Sequence, residues 1–370
     1  MQTNLLLRVL AGAAVLTFST EALAQGTFIV PGAADRSSRV GTRGANYLQI
    51  PIGGRANALG GSVTVQSAGA EALFWNPANI ALSEGISTTL SYMSMYGSGS
   101  GISNIGAGAV IPVGQGALGL SLRSFRSGQI ERTTENAPTG NDPVFPGTFQ
   151  YTGISMALHY ARNITDRLSA AGGFRFAREG IDFANTNFFG LDVSTRFRTG
   201  LYGVSLAAAI SNIGGSGRWQ GPGVERYITE PRYNGNGTGI DIPVQLNTRD
   251  VQMPTSFRLG ILSDLYGDAE ALFGASKVHA IQAELDFYDA IDTDLQPSVG
   301  IEYTYKKNLH LRGGKRWFNE QRANRQTASG YSFGGGVRFP FLGRSMSLDY
   351  AYVLMGDLNS NQVISFDFGN

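Results

Sequence analysis

Few residue patterns in this chain have the types and spacing that chemistry requires. The run Gly114-Gln115-Gly116-Ala117-Leu118-Gly119 matches the GxGxxG pattern of dinucleotide-binding sites. Such a site needs a helix after the glycines, so that the helix N-terminus points at the pyrophosphate. The residues that follow alternate between apolar and polar as in a strand, so we interpret the run as a glycine-rich hairpin turn.

The other candidate groups for catalysis or metal binding are isolated. His159, His279 and His310 are far apart and lack metal-ligand spacing, and the chain has no cysteine for a thiolate site or a disulfide. No serine and histidine can be paired with an orienting group from the sequence. We therefore expect no enzyme, no cofactor and no metal. An outer-membrane hydrolase is a further hypothesis, which would require an inhibitor-sensitive serine.

Composition points away from a soluble enzyme or a nucleic-acid partner. The net charge is +1, and the chain combines 50 glycines and 11% aromatic residues with only 15% charged residues. Residues 1–24 have Arg8, an apolar run and the small-x-small end Ala22-Leu23-Ala24, which predicts a cleavable signal peptide. No later segment approaches the roughly 20 apolar residues of a membrane helix. An exported chain of this kind fits a closed barrel, which satisfies its backbone groups between strands.

The elements that would position any site are strands of membrane length. From Ile86 onward, apolar and polar residues alternate in about fourteen segments, each of about ten residues. The predicted strands are 86–96, 103–112, 116–126, 149–161, 167–178, 190–198, 201–211, 254–263, 277–288, 296–305, 308–318, 329–339, 344–354 and 361–368. We therefore predict an all-β transmembrane antiparallel barrel over 86–370, with a soluble β-sandwich as the alternative.

The predicted connections alternate in length. After every second strand the link is short, whereas the links 127–148, 179–189, 212–253 and 319–328 are long, as in barrels with short periplasmic turns and long external loops. The link 264–276 breaks this pattern, and we expect a small helix at Asp268–Phe273. An even number of strands places both termini in the periplasm of a bacterial outer-membrane protein.

Charged residues of both signs occupy the predicted inward positions of several strands. A ring of one sign would indicate an ion-selective pore, whereas mixed signs favour ion pairs that pack around a plug. A substrate path is the alternative. The predicted polar set of the lumen is Arg123, Arg175, Arg258, Glu284, Asp286, Glu302, Arg312 and Arg338.

Residues 25–85 differ from the barrel, because they contain no strand of membrane length. Glycine-rich turns alternate with short apolar pieces, and Asn76-Pro77 would end a helix through Ala70–Trp75. We predict that this segment is a small N-terminal hatch in the lumen, whose polar walls would supply its hydrogen-bond partners. A periplasmic extension below the barrel is the alternative.

Several phrases resemble a known family. The strings RANALGGSVTV and GAEALFWNPANIAL resemble the start of FadL-like barrels, with Asn76, Pro77 and Ala78 at the position of a hatch element. The phrase GANYLQIPIGGRANALGG (44–61) resembles the PorV/PorQ family, a FadL-related group associated with type IX secretion. The resemblance extends over nearly the whole mature chain and implies fourteen strands.

The resemblance also implies a function. A PorV/PorQ-like barrel in the outer-membrane lipid would bind secreted cargo proteins by their C-terminal sorting domain, with other secretion-system components as further partners and no nucleic acid. Loops 127–148 and 212–253 would make the contact. The second is long and contains the aromatic candidates Trp219, Tyr227 and Tyr233. The alternative is passive transport of hydrophobic small molecules, which predicts an apolar pocket between the hatch and the external loops.

Overall fold

The structure is a computed structural model that describes residues 41–97, 99–141, 143, 147–230, 240–318, 330–341 and 343–369, without the side chains of 229, 230, 240 and 241. The predicted signal peptide, residues 25–40 of the predicted hatch and the predicted loop 319–328 lie outside these ranges. Among the described residues, no helix has the length and apolar character to cross a membrane.

Fourteen antiparallel strands form one closed barrel, in which the first strand pairs with the last. This confirms the predicted fold class. The strands are β1 (Ser87–Ser94), β2 (Ser103–Val113), β3 (Gly116–Arg126), β4 (Tyr151–Asn163), β5 (Leu168–Ile181), β6 (Ala184–Arg198), β7 (Val204–Gly214), β8 (Ser256–Tyr266), β9 (His279–Ala290), β10 (Gln296–Tyr305), β11 (Leu309–Arg316), β12 (Tyr331–Phe341), β13 (Arg344–Leu354) and β14 (Ser360–Phe368).

The two faces of the wall have opposite character. On β3, Leu118, Leu120 and Leu122 are between 39% and 47% exposed, whereas Ser121 and Arg123 are buried. Because successive side chains of a strand point to opposite faces, the apolar residues form an outer belt and the polar ones face the lumen. A wide belt of exposed Leu, Ile and Phe is unfavourable in water and favourable in lipid, so the fold is that of a transmembrane barrel.

The connections define two different ends of the barrel. One end has tight links such as those between β2 and β3 and between β12 and β13, together with the start of β1 and the end of β14. We call it the short-turn end. The opposite end, the long-loop end, has the connections β3–β4 and β7–β8, which contain small two-stranded hairpins of their own. One of these pairs Glu225–Glu230 with Ile240–Gln245.

Two predicted connections are wrong. The predicted loop 179–189 is strand, because β5 and β6 continue to a two-residue turn between Ile181 and Ala184. Its polar residues indicated a loop, but Glu179 points inward and accepts hydrogen bonds from the Ala45 amide and the Tyr151 hydroxyl. The predicted helix Asp268–Phe273 is also absent from the described link, which consists of turns closed by a bridge between Gly267 and Ala275.

Candidate functional site

The N-terminal segment, residues 41–85, contacts inward side chains from strands on every side of the barrel. It contains 3-10 turns at Asn46–Gln49, Gly69–Phe74 and Pro77–Leu82 and one short helix, α1 (Gly54–Ala58). Contacts that reach β3, β6, β9, β12 and β14 require the segment to lie inside the lumen. Residues 44–52 lie near the long-loop end, 53–66 near the middle and 69–82 near the short-turn end.

The predicted hatch element forms a turn at the wall. Asn76 precedes the 3-10 turn Pro77–Leu82, and its Oδ1 accepts a hydrogen bond from the Ala78 amide at 3.1 Å. Its Nδ2 donates to the Thr64 carbonyl at 2.9 Å and to the Thr195 carbonyl on β6 at 3.2 Å. Pro77 occupies the first position of the turn, where a missing N–H costs nothing. Asn76 therefore joins two parts of the segment to the barrel wall.

Two carboxylates of β9 hold the middle of the segment, and we call them the carboxylate clamp. Glu284 accepts the amides of Val65 at 2.6 Å and Gln66 at 3.1 Å, one on each oxygen. Asp286 uses a single oxygen, Oδ2, for the Val63 amide, the Thr64 amide and the Thr64 hydroxyl. The wall thus supplies acceptors for irregular backbone that no strand pairs, as a buried loop requires.

A chain of ion pairs lies beside the clamp. Arg55 of α1 contacts Glu302 on β10 with two nitrogens, at 3.0 and 3.1 Å. Arg312 on β11 contacts both Glu302 and Asp349 on β13. Glu302, Arg312 and Asp349 are buried and Arg55 is partly buried. Such charges persist where opposite charges and hydrogen bonds compensate their lost hydration. The predicted Glu302 and Arg312 therefore come together, and they include a residue of the segment.

Glu71 lies near this network without a hydrogen bond to its Oε1 among the described residues. It is buried, and burial together with the nearby Asp367 carboxylate raises the pKa of Glu71 to about 8. Gly53 permits this close packing, because a Cβ there would lie 2.1 Å from Glu71 Oε1. Sequence reasoning did not find Glu71, because its apolar surroundings in the sequence are typical of an ordinary short helix.

The remaining predicted arginines have different roles. Arg123 donates to the carbonyls of Tyr47, Leu48 and Ile50 at 2.7–3.0 Å. Arg258 lies between aromatic rings, 4.7 Å from the centroid of Trp75 and 4.1 Å from that of Tyr288. These two cations hold the segment through carbonyl and ring contacts.

Arg175 and Arg338 lie away from the segment's polar contacts. Arg175 pairs with Asp192 at 2.6 Å, and the same carboxylate oxygen contacts His159 at 2.9 Å. Arg338 faces inward by strand phase but is exposed near the short-turn end. The predicted inward positions are therefore brought together only in part, and within the described residues Arg338 makes no ion pair.

The strand pairing of the wall is irregular next to Asp192. The pairing of β6 with β7 shifts between Leu191 and Val193, and Asp192 Oδ1 accepts the amide of Asn212 at 2.8 Å. Asn212 has φ 60°, which is uncommon for a residue other than glycine. A side chain thus replaces one ladder hydrogen bond, as is typical of a β-bulge.

Several inward positions of the wall are glycines where side chains of the segment pack closely against the strands. A Cβ at Gly153 would lie 2.5 Å from the Tyr47 ring, and one at Gly119 would lie 2.3 Å from Leu73 Cδ2. Side chains of the segment therefore occupy the space that a larger wall residue would need. Part of the high glycine content thus follows from the filled lumen.

Apolar and aromatic side chains fill the space between the segment and the long-loop end. We call this group the apolar entrance. The apolar pocket that the transport hypothesis places between the hatch and the external loops stays a prediction. Its buried members include Tyr47, Leu48, Met93, Met95, Phe188 and Met253, with Ile50, Phe125 and Tyr151 packed against them.

The two described cargo-loop candidates, Trp219 and Tyr227, lie outside the lumen. Tyr227 is 71% exposed on the hairpin formed by Glu225–Glu230 and Ile240–Gln245, and Trp219 is half-buried at the base of the same loop. Tyr233 lies outside the described residues. Among those described, no group of three or more His, Asp or Glu residues could hold a metal ion.

The wall and the contents of the lumen together define a transmembrane β-barrel with residues 41–85 inside its lumen. No protein-family model matches the chain. No curated protein is similar to it in sequence.

Solved structures share the fold. The chain resembles the toluene transporter TodX of Pseudomonas putida at 12% identity, with a TM-score of 0.53 over 85% of this chain and 96% of that one. It resembles the toluene transporter TbuX of Ralstonia pickettii at 13% identity, with a TM-score of 0.51 over 85% and 96%. A Pseudomonas aeruginosa FadL homologue matches at 12% identity, with a TM-score of 0.51 over 86% and 98%. The fold is therefore that of FadL-type barrels, and the finer likeness to the PorV/PorQ family stays a prediction.

Proposed function

We propose that this chain is an outer-membrane channel for the passive entry of hydrophobic small molecules, with the N-terminal segment as its hatch. The observation that carries this proposal is the apolar entrance. Its methionines have flexible and polarizable side chains that adapt to different apolar shapes. Below them the segment fills the lumen, so these apolar side chains are the part of the lumen contents nearest the long-loop side.

The names of solved barrels with this fold add support, because two are toluene transporters and another is a monoaromatic hydrocarbon channel. This favours transport over cargo binding as the leading function. The long-loop end then faces the exterior. The start of β1 and the end of β14, which lie at the short-turn end, then face the periplasm.

Uptake by whole cells tests the proposal. The protein is expressed in a bacterium that lacks its own hydrophobic channel, and the entry of radiolabelled toluene is compared with that of a sugar of similar size. We expect faster entry of toluene alone. M93Q/M95Q places two amides in the apolar entrance and should slow toluene entry by about tenfold or more, because an unpaired buried amide costs on the order of 1–3 kcal/mol.

The matched control is M156Q, because Met156 is 48% exposed on the outer face. It makes the same chemical change outside the lumen and should leave toluene entry unchanged. If cells that contain the folded barrel take up toluene no faster than cells without the protein, the channel is refuted.

Cargo binding is the second candidate, and the hairpin of Glu225–Glu230 and Ile240–Gln245 favours it. Tyr227, Ile228 and Ile242 are 71%, 50% and 43% exposed. Large apolar side chains on a long loop are typical of protein-recognition surfaces. By the resemblance to the PorV/PorQ family, the partner would be the C-terminal sorting domain of secreted proteins.

A pull-down from detergent-solubilised outer membranes of the native host separates the two functions. Wild type is compared with Y227S/I242S and with L201S, which changes an exposed apolar residue of a tight turn at the opposite end of the barrel. Recovery of secreted proteins with a shared C-terminal domain, lost in Y227S/I242S, would favour cargo binding. Recovery of no secreted protein from any variant would leave transport as the function.

A further inference from the structure

A groove of about 590 Å³ opens on the outer face of the barrel, near the long-loop end of β4, β5 and β6. Its floor is the strand surface around Thr152, Ile154 and Gly180, and its lining includes Arg178 and Asn185. This groove is separate from the lumen, because Ile154 and Arg178 point away from it.

A folded loop shapes one side of the groove. Arg132 contacts both carboxylate oxygens of Asp182, at 2.9 and 2.7 Å. Its guanidinium also lies 5.8 Å from the ring centroids of Phe149 and of Phe183. The β3–β4 loop is thereby fastened to the turn between β5 and β6, so the groove is held open by several directional contacts.

Two arginines on this outer surface have no such carboxylate. Arg178 lines the groove, directly opposite Ile154 and Asn187 in the barrel register. Arg126 lies beside the groove, directly opposite its lining residue Thr152. Both are exposed, and within the described part of the chain neither guanidinium takes part in an ion pair. Hydroxyl and amide side chains lie between and beside them. The surface therefore has two uncompensated cations and several neutral hydrogen-bonding groups.

The apolar belt begins next to these cations. Met156, Phe174 and Phe189 are 48%, 50% and 57% exposed on the same three strands. Phe189 packs against Phe174 and Phe176, with ring centroids 5.9 and 5.3 Å apart. An occupant of the groove therefore meets cations and amides at one end and a continuous aromatic and aliphatic surface at the other.

We propose that this groove binds a phosphorylated lipid of the surrounding leaflet, with its phosphate at Arg126 and Arg178 and its acyl chains along the belt. Arginine binds phosphate by charge-assisted, paired hydrogen bonds, and basic sites beside apolar membrane surfaces select anionic headgroups. The amides and hydroxyls suit the sugar or glycerol of the headgroup. An acidic protein segment would use the cations but not the belt. The site requires only that the barrel crosses a membrane, and it does not depend on what passes through the lumen.

Native mass spectrometry of the full barrel in neutral detergent tests the site. The probes are lipid A with its phosphates and the same lipid after their removal. R126Q/R178Q removes both cations, and R162Q removes an outward arginine near the short-turn end as the matched control. At about 1 kcal/mol for each arginine, we expect R126Q/R178Q to bind the phosphorylated lipid about thirtyfold more weakly, and R162Q to bind it like wild type.

Each outcome decides the proposal. All variants must show the same heat-dependent shift in gel migration, so that weaker binding reports the site and not misfolding. Equal binding of the two lipids, or equal binding by R126Q/R178Q and wild type, would overturn the proposal.

Displacement of the lipid by millimolar inorganic phosphate would mean that free anions bind instead. Displacement by a short polyglutamate peptide would assign the surface to an acidic protein segment. Loss of toluene entry with intact lipid binding would affect only the channel.

Discussion

From the geometry of the carboxylate clamp we predict that the two isosteric substitutions E284Q and D286N have different effects on the local opening of the segment. Glu284 uses both of its oxygens, one for each of two amides of the segment. Glutamine has one oxygen and one NH2 group, so E284Q leaves one amide facing a second donor. Asp286 makes all of its hydrogen bonds to the segment through Oδ2. The single oxygen of asparagine can therefore replace it.

The expected magnitude follows from the orphaned donor. A buried N–H without a partner costs on the order of 1–3 kcal/mol, which corresponds to roughly a five- to 150-fold change in a local opening equilibrium. E284Q should increase that equilibrium at Val65 and Gln66 by this factor. D286N should change it by less than roughly threefold, because all three hydrogen bonds from the segment go to the one oxygen that asparagine keeps.

Hydrogen exchange of the refolded barrel, read by mass spectrometry on peptides that cover Val63–Gln66, measures this equilibrium directly. Peptides from β3 serve as the internal control and should exchange alike in all three proteins. Equal protection in E284Q and wild type would show that the clamp does not hold the segment. A larger effect of D286N than of E284Q would refute the assignment of oxygens to donors.

Three further predictions concern the wall and the segment. G173A places a methyl group 2.1 Å from Cδ2 of the His159 ring, whereas G172A meets no atom within 4 Å. Only G173A should lower the barrel's unfolding temperature, by the equivalent of about 1–3 kcal/mol, and equal effects would contradict the inward placement of His159. Because burial raises the pKa of Glu71 to about 8, wild type should lose stability as the pH rises from about 4.5 to 8. E71Q should therefore unfold at a higher temperature than wild type at pH 9, with a smaller difference at pH 5. At Asn212, with φ 60°, glycine should be tolerated and valine should cost about 1–3 kcal/mol in chemical denaturation, and a tolerated valine would argue against the bulge.

The strands could be predicted closely, because a membrane wall repeats one simple rule along its length. The predicted 116–126, 296–305 and 344–354 have the same boundaries as β3, β10 and β13. The prediction was wrong where strands extend past the apolar belt. There both faces are polar, as at the inward Glu179 and the outward Arg178, and periodicity no longer separates a strand from a loop.

The contents of the lumen were harder to predict, because their partners are far apart in sequence. The clamp joins residues 218–223 positions apart, and no local pattern indicates which amide a carboxylate will meet. Inward phase did identify Glu284 and Asp286 as buried polar groups. Glycines at inward positions were a signal that the sequence analysis did not use. Gly119 and Gly153 lie inside regular strands, at positions where a bulky side chain of the segment approaches the wall.

The contacts of the segment also bear on how a channel of this kind would open. Between Gly53 and Gln66 it is held by the clamp, by Arg55 with Glu302 and by serine hydroxyls of β1 and β14. At roughly 1 kcal/mol for each hydrogen bond, breaking all of these contacts together would cost on the order of 10 kcal/mol. That is comparable to the whole stability of a typical protein. We therefore expect entry of a hydrophobic molecule to rearrange the apolar entrance and to leave the middle of the segment in place.

A disulfide between the segment and the wall tests this expectation. The hydroxyl oxygens of Ser62 and Ser298 lie 2.9 Å apart, both side chains are buried, and the chain has no other cysteine to compete with S62C/S298C. Oxidation would fix the middle of the segment to β10, and reduction of the same protein is the matched control. If only the apolar entrance moves, toluene entry will be the same in both states. Entry that stops on oxidation and returns on reduction would show that the middle must leave the wall, and the energetic argument would then fail.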